Sequence, residues 1–442
     1  MPTTKPMPPS RAAALEVLRL VLDGGADVQD ALSRVLDGVS LSSADAGLAT
    51  ELAYGYLRYG GRMAAVVRSL LAAPRKTPPG LLRILELAAF ELLRLTRVPA
   101  YATLDWAVAR ARKRYGAAIA KVANGVLRNI DRMSDELSDV SWYNKRFKDK
   151  DEALAVWYAA PVWLVRLWTA AYGPERARAY LAASLETPPL GLRVNRIRPG
   201  ARELADDLAA RDGLVARDGY GLAVAPGALA RDELAGLVAD GAVSRQSLAS
   251  QQALSALEPE AWPLPVWDAC CGRGGKTAHL LERSVPVLAA SDVHGPRLAG
   301  LPGELRRLGL DAEAVRPAIF RGAADATALR RAPGTVLLDA PCSGLGVLSR
   351  RPDAKWRRTE AQIADLVTTQ RALLLAAHDA ARPGGLVAYI TCTLNPAENE
   401  EQVRFLLGAR PGAVLEREWS TPPSSPLREF FYVAAVRVAS GA

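Results

Sequence analysis

Cysteine is scarce in this chain: there are four in 442 residues, none in CxxC spacing. That excludes a disulfide framework and a cysteine-based zinc site, so free thiols and no metal are expected. No apolar run is long enough to span a bilayer. The start, MPTTKPMPPSR, lacks the apolar core of a secretory signal, so a cytoplasmic protein with no membrane partner is expected. Internal repeats and low-complexity tracts are also missing. What remains is a globular composition, half hydrophobic, on a chain too long for one ordinary core. Two or three domains are expected, and a monomer.

Acidic residues are the other deficit, and the deficit is local. Between Leu57 and Arg132 there are 15 Lys/Arg against 4 Asp/Glu, a larger excess than the +9 of the whole chain. A single-sign field on one helical region attracts polyanions, nucleic acid first. An Arg-rich solvated surface is the plainer reading of the same count.

Residues 1–135 read as an all-α bundle. Ser10 is placed to cap a first helix whose apolar positions Leu15, Leu18, Val21 and Leu22 recur at helical spacing. Further periodic segments cover 27–38, 44–59, 62–72, 79–95, 101–114 and 117–131, separated by Gly-, Pro- and Ser-bearing breakers that include YGG at 59–61. The polar stretch 133–152 reads as a connector, and 153–250 as a small α+β module with strands near 190–194 and 220–224. From 251 to 442, short apolar runs alternate with helical stretches. This pattern predicts a mostly parallel α/β sheet of Rossmann-like type, with ligands bound at the strands' carboxyl ends.

Acids and thiols fall at those ends. In WDACCGRGGKTAHL, Asp268 ends a strand, Gly272, Gly274 and Gly275 form a turn, and Lys276 opens a helix. The turn has neither GxGxxG order nor a P-loop. Asp292, in LAASDVHGPRL, lies where a nucleoside-binding sheet holds ribose hydroxyls, and Asp325, in RGAADATAL, is placed to accept from an adenine amino group. Together they predict a pocket for an adenosine-containing ligand, and the lack of a phosphate cradle favours S-adenosylmethionine over ATP or NAD.

A cysteine in a parallel sheet is most often inert packing, which suits Cys270 and Cys271 unless they line the pocket. Cys342, in TVLLDAPCSG, and Cys392, in GLVAYITCTL, each sit past a strand beside reactive groups. Carbon 5 of a pyrimidine is a poor nucleophile until a thiolate adds at carbon 6. That chemistry needs a nucleophilic cysteine, an acid near N3, and a group that helps release the product. Asp339, Cys342 and Cys392 supply the inventory, without ordering the two thiols.

DACCGRGGKT, LLDAPCSGLGVLSRRPDAKW and YITCTLNPAENEEQVRFLL resemble the cofactor loop, the proline-cysteine motif and the threonine-cysteine motif of the RNA cytosine-C5 methyltransferases, the Nol1/Nop2/Sun group. LATELAYGYLRYGGRM, LRILELAAFELL and VANGVLRNIDR resemble a NusB-type RNA-binding domain, and PVWLVRLWTAAYG and GLRVNRIR the middle region of bacterial 16S rRNA methyltransferases that carry one. The resemblance implies domains at 1–135 (NusB-like, RNA-binding), 153–250 (RNA-binding or linker) and 251–442 (catalytic). It implies methylation of a 16S rRNA cytosine with S-adenosyl-L-methionine. Cys392 is then the nucleophile and Cys342 assists release of the base, with Asp339 touching the cytosine and Lys276 near it. Cofactor contacts are implied at Cys270, Cys271, Gly272, Arg273, Gly274, Gly275, Lys276, Asp292, Arg297, Asp325 and Asp339.

The chain departs from that pattern at Cys271-Gly272-Arg273, where the family reads alanine-alanine-proline, and at Gly295-Pro296, Pro302-Gly303 and Glu304 after Asp292. An outward Arg273 leaves the backbone cradle intact, whereas an inward one sets positive charge beside a sulfonium. The second reading is therefore an RNA-binding or ribosome-assembly factor that keeps the fold with a degraded cofactor site. DNA methylation is disfavoured, since nothing resembles a target-recognition region.

Overall fold

The computed structural model describes residues 7–312, 315–319, 329 and 331–440, with only the backbone for 316–319. The chain forms two compact units, Met1–Glu186 with Arg351–Arg357, and Thr187–Arg350 with Arg358–Ala442. Among the described residues no single helix is long and apolar enough to cross a membrane.

The first unit is all helix. Its main members are Pro9–Leu22, Val28–Asp37, Ser43–Leu70, Pro79–Arg94, Ala100–Tyr115 and Ala117–Arg132. One continuous core, including Leu18, Leu52, Leu57, Phe90, Trp106 and Leu127, fills the space between them. Three expectations need correction. The first helix starts at Pro9, so Ser10 lies buried inside it rather than capping it; proline at the first helical position presets φ and loses no useful donor. Tyr59-Gly60-Gly61 does not break the third helix, which runs unbroken from Ser43 to Leu70. A Cβ on Gly61 would come 2.7 Å from the Trp356 ring, so glycine here admits a close neighbour instead of ending a helix. Finally, the stretch read as a connector folds into Ser134–Leu137, Val140–Arg146 and Lys150–Trp157, with Trp142 and Tyr143 in the core. Its surface is polar, which hides two buried aromatics from a composition reading.

The segment Arg351–Arg357 belongs to this helical unit. Arg351 pairs with Asp27 at 2.7 Å, Lys355 Nζ donates to the Arg58 carbonyl at 2.8 Å, and Trp356 Nε1 donates to the Leu57 carbonyl at 2.7 Å.

The second unit holds two sheets. The smaller contains β1 (Leu190–Val194), β2 (Leu214–Asp218), β3 (Gly221–Val224) and β4 (Val243–Arg245), in antiparallel order β2-β3-β1-β4. Helices Ala201–Ala210 and Arg231–Ala239 cover it around Leu192, Val194, Leu208 and Leu222. Arg193 of β1 makes a fully buried bidentate pair with Glu282 and donates to the Gly275 carbonyl at 3.1 Å.

The larger sheet comprises β5 (Val266–Asp268), β6 (Val287–Asp292), β7 (Arg316–Ile319), β8 (Thr335–Asp339), β9 (Leu386–Thr391), β10 (Val414–Ser420) and β11 (Tyr432–Arg437), in the order β10-β11-β9-β8-β5-β6-β7. The five strands from β5 to β9 are parallel. Both faces are covered, Leu337, Ala388 and Ile390 entering one core and Val336, Leu338 and Tyr389 the other, which is why these strands read as unbroken apolar runs. The charged edge strand β10 and its neighbour β11 are antiparallel additions to the mostly parallel pattern. Past β6 the chain forms two short helices, Gly295–Leu298 and Leu301–Arg307, with Pro302 early in the second.

Candidate active site

The order of strands in the larger sheet reverses between β5 and β8, and a crevice at such a switch point is where α/β sheets bind ligands. Asp268 ends β5, Asp339 ends β8 and Cys392 follows β9 directly. Because β8 and β9 are adjacent and parallel, the loops leaving them start side by side. Cys342 and Cys392 meet there, their Sγ atoms 3.3 Å apart, and the Cys392 N–H approaches the Cys342 sulfur at 3.4 Å. Both are half-buried, and all four cysteines of the chain are free thiols.

Lys276 and Asp339 form the second pair, Nζ to Oδ2 at 2.5 Å. Burial alone would lower the Lys276 ammonium, but the charge and hydrogen bond of Asp339, with the Cys392 sulfur adding to them, hold it above its ordinary value. A cation in this position favours the thiolate form of a neighbouring cysteine. Cys342 is held in its protonated form. Its contact with Cys392 and its burial push its thiol well up, with further contributions from the charges of Cys392 and Glu398.

The β5 turn runs through Gly272 and Gly274 at φ 58° and 83°, a conformation that favours glycine. The N–H of Gly272 donates to Asp292 Oδ2 at 2.9 Å and that of His294 to Oδ1 at 2.8 Å, so Asp292 braces the turn from the end of β6. Nothing lies within 4 Å of where a Cβ of Gly272 or Gly275 would stand. Arg273 and Arg297 are exposed, while Cys271 is buried in the core and Cys270 half-buried. Burial, then the charges of Asp268, Asp339 and Asp292, push the Cys270 thiol up, so the three carboxylates converge on this turn. Burial also raises the Cys271 thiol and leaves it inert. Asp325 lies outside the described residues.

Two features go beyond the sequence reading, which took Asp268 only as the end of a strand and gave Glu398 no role. Asp268 is wholly buried; its Oδ2 accepts from Thr277 at 2.6 Å, while Oδ1 has no hydrogen-bond partner. Burial, reinforced by Asp339 and Asp292, pushes its carboxyl up to about 7 against the Thr277 bond and Lys276. Glu398, also fully buried, takes hydrogen bonds from the residues that follow both cysteines. The only hint in the sequence was a dense polar run, NPAEN, directly after an apolar strand.

The chain is similar to known proteins along most of its length. Residues 254–429 match the family model for 16S rRNA methyltransferase RsmB/F, residues 8–132 the NusB family, and residues 160–223 the ferredoxin-like domain of RsmF/B-like methyltransferases. The chain is 33% identical over 413 residues to ribosomal RNA small subunit methyltransferase B of Pseudomonas syringae pv. tomato, covering 91% of this chain and 87% of that protein. Identity to ribosomal RNA small subunit methyltransferase B of Vibrio vulnificus is 31% over 451 residues, covering 97% and 99%. In fold, the crystal structure of PH0851 matches with a TM-score of 0.74 at 21% identity, across 98% of this chain and 99% of that one. NSun6 from Pyrococcus horikoshii, solved with SFG, matches with a TM-score of 0.53 at 21% identity, across 64% of this chain and 99% of that one. Relatives of this identity spanning nearly the whole length show that the chain belongs to the RsmB/F family of 16S rRNA methyltransferases, with a NusB domain at its N-terminal end.

Proposed function

We propose that the protein methylates carbon 5 of a cytosine in 16S rRNA through a covalent cysteine–cytosine adduct, acting as a monomer with S-adenosylmethionine as methyl donor. The observation that carries this reading is the 3.3 Å approach of Cys342 and Cys392, with the Lys276–Asp339 pair at the same sheet edge. The donor fits the chemistry of the turn. Three carboxylates converge there and the Lys276 ammonium beside them is already paired with Asp339, which suits a cationic ligand. Gly272, Gly274 and Gly275 would hold it by backbone, with Asp292 at the ribose and exposed Arg273 and Arg297 outside the cradle. SFG bound to NSun6 shows a ligand on a related fold and supports the assignment by analogy. When bound, the donor supplies an electrophilic methyl on a sulfonium.

The chain's own residues do the rest. The Cys392 thiolate adds to carbon 6, forming a C–S bond, and the electrons of the 5,6 double bond move toward N3, which takes a proton from the Lys276–Asp339 pair. Carbon 5 becomes the nucleophilic end of an enamine. After methylation, Cys342 assists removal of the carbon 5 proton; the double bond re-forms, Cys392 leaves as thiolate and N3 returns its proton to the Lys276–Asp339 pair. The target base must be out of the stack to reach either sulfur. In this reading, 1–135 captures RNA, 153–250 supports or contacts it and 251–442 performs catalysis, a functional division distinct from the two compact units.

The test is adduct formation on denaturing gels. Cys392→Ala should lose methyl transfer by at least roughly a thousandfold and form no adduct. Cys342→Ala should slow turnover and accumulate a stable protein–RNA adduct. Full activity of Cys392→Ala would refute the assignment.

A further inference from the structure

The carboxylate of Glu398 plays no part in the chemistry above, yet it is among the most heavily bonded side chains of the unit. It ends the short turn Pro396–Glu398 that follows β9, and it is fully buried. Its Oε1 accepts from the Ser343 N–H at 2.8 Å and from Gln370 Nε2 at 3.1 Å. Its Oε2 accepts from Ser343 Oγ at 2.5 Å, Asn395 Nδ2 at 3.0 Å and Thr393 Oγ1 at 3.4 Å. Ser343 is the residue after Cys342 and Thr393 the residue after Cys392, and their hydroxyls lie 2.6 Å apart. A buried carboxylate is tolerated only when its oxygens are satisfied, and here neutral donors from both cysteine loops do so.

We propose that Glu398 is a positioning residue that sets the spacing of the Cys342 and Cys392 thiols by gripping the residue after each. The proposal rests on the reading of these two cysteines as the reactive pair. A second set of contacts closes the same joint. Gly346 of the Cys342 loop donates its N–H to the Cys392 carbonyl at 3.0 Å, and a Cβ there would sit 2.9 Å from that oxygen and 2.1 Å from the Phe430 carbonyl. Backbone thus meets backbone at the joint, and Glu398 adds side-chain contacts to both loops. Glutamine at 398 would keep the volume but turn one acceptor into a donor. The Ser343 and Thr393 hydroxyls could rotate to accept from it. Asn395 Nδ2 could not, because Asn395 Oδ1 already accepts from the Ala397 N–H. Misplacing a reacting group by about 1 Å costs on the order of a hundredfold in rate.

The test uses the full chain and two readouts. In the first, free protein is treated with phenylarsine oxide, which bridges two close thiols with loss of one water, and the bridged pair is mapped by tryptic mass spectrometry. Wild type should bridge Cys342 to Cys392. Glu398→Gln should do so at least tenfold more slowly, and Ser343→Ala should fall between. In the second, Glu398→Gln should lower kcat for RNA methylation roughly ten- to a hundredfold while KM for RNA stays within about twofold. Wild-type bridging and wild-type kcat in both variants overturn the proposal. So does a lowered melting temperature in Glu398→Gln with bridging and kcat unchanged, which marks a purely structural role. If Glu398→Gln does not fold, Ser343→Ala and Asn395→Ala, each removing one donor, decide by the same readouts. Bridging needs neither RNA nor methyl donor, so a wild-type protein that bridges but never methylates defeats the functional reading and leaves the positioning role standing.

Discussion

Lys276 Nζ stands 2.5 Å from Asp339 Oδ2, joining the helix after β5 to the end of β8 across the point where the strand order reverses. The pair lies where the sheet opens, and the charge on Lys276 is also felt by Cys392. Two needs of the proposed reaction, a proton for N3 and a thiolate, thus depend on one ammonium.

That dependence gives the first expected outcome. In Lys276→Met the Cys392 thiolate loses a cation that interacts with it, so the acid limb of the pH–rate profile should move up by about one unit, with kcat falling roughly a hundredfold. Lys276→Arg keeps the charge and should leave the limb near its wild-type position. Single-turnover rates between pH 6 and 9.5 measure both, and an unmoved limb in Lys276→Met would disconnect the ammonium from the nucleophile.

Asp268 leads to a second pH effect with a definite sign. Its folded-state carboxyl sits near 7, above the unfolded value of about 4, because burial penalises the charge. Between those values the folded protein holds a proton that the unfolded chain has lost. Stability should therefore fall as pH rises through that window and level off above it. A cationic ligand in the adjacent turn favours ionised Asp268, so affinity for S-adenosylmethionine should rise roughly three- to tenfold from pH 5.5 to 7. Calorimetric titration at the two pH values checks this. Asp268→Asn should abolish the pH dependence.

Much of this was legible because the relevant patterns are local. Apolar runs ending in Asp268, Asp292 and Asp339 mark strands buried on both faces, and the thiols just past β8 and β9 follow from the same periodicity. What stayed hidden depends on contacts distant in sequence. Nothing near Gly61 announces that the ring filling its missing side chain is Trp356, nearly three hundred residues later. The polar surface of 134–157 masks Trp142 and Tyr143, which are buried only because the preceding helices offer them a core. Glu398 reads as one acid in a charged run until the Cys342 loop folds back and gives it Ser343.

Arg58 and Arg62 are buried, but other basic residues of the helical unit face outward. Arg112, Lys113 and Arg114 end the helix Ala100–Tyr115 exposed, and Lys121 and Arg128 are exposed on the next helix. If this surface neutralises rRNA phosphates, replacing the first three with alanine should weaken binding at low salt and reduce the slope of log affinity against log salt by roughly 2. Fluorescence anisotropy across a KCl series reads the slope, and an unchanged value removes this face from the RNA interface.

Two glycines in the same unit should respond to alanine with opposite signs. Helix propensity alone favours alanine over glycine by about 1 kcal/mol at either site. At Gly125, on the helix Ala117–Arg132, nothing lies within 4 Å of an added Cβ, so propensity acts unopposed and Gly125→Ala should stabilise by up to about 1 kcal/mol. At Gly55 the added carbon would lie 1.9 Å from Cζ of Phe90, a ring 2% exposed and stacked on Tyr59 at a centroid distance of 6.0 Å. That ring cannot retreat without opening the core, and overpacking of this kind typically costs about 1–3 kcal/mol, enough to outweigh the gain. Amide exchange resolved by helix separates the cases, with exchange faster across Ser43–Leu70 in Gly55→Ala and slower across Ala117–Arg132 in Gly125→Ala. Protection gained at both sites would mean that Phe90 has room to move and that backbone propensity governs this core.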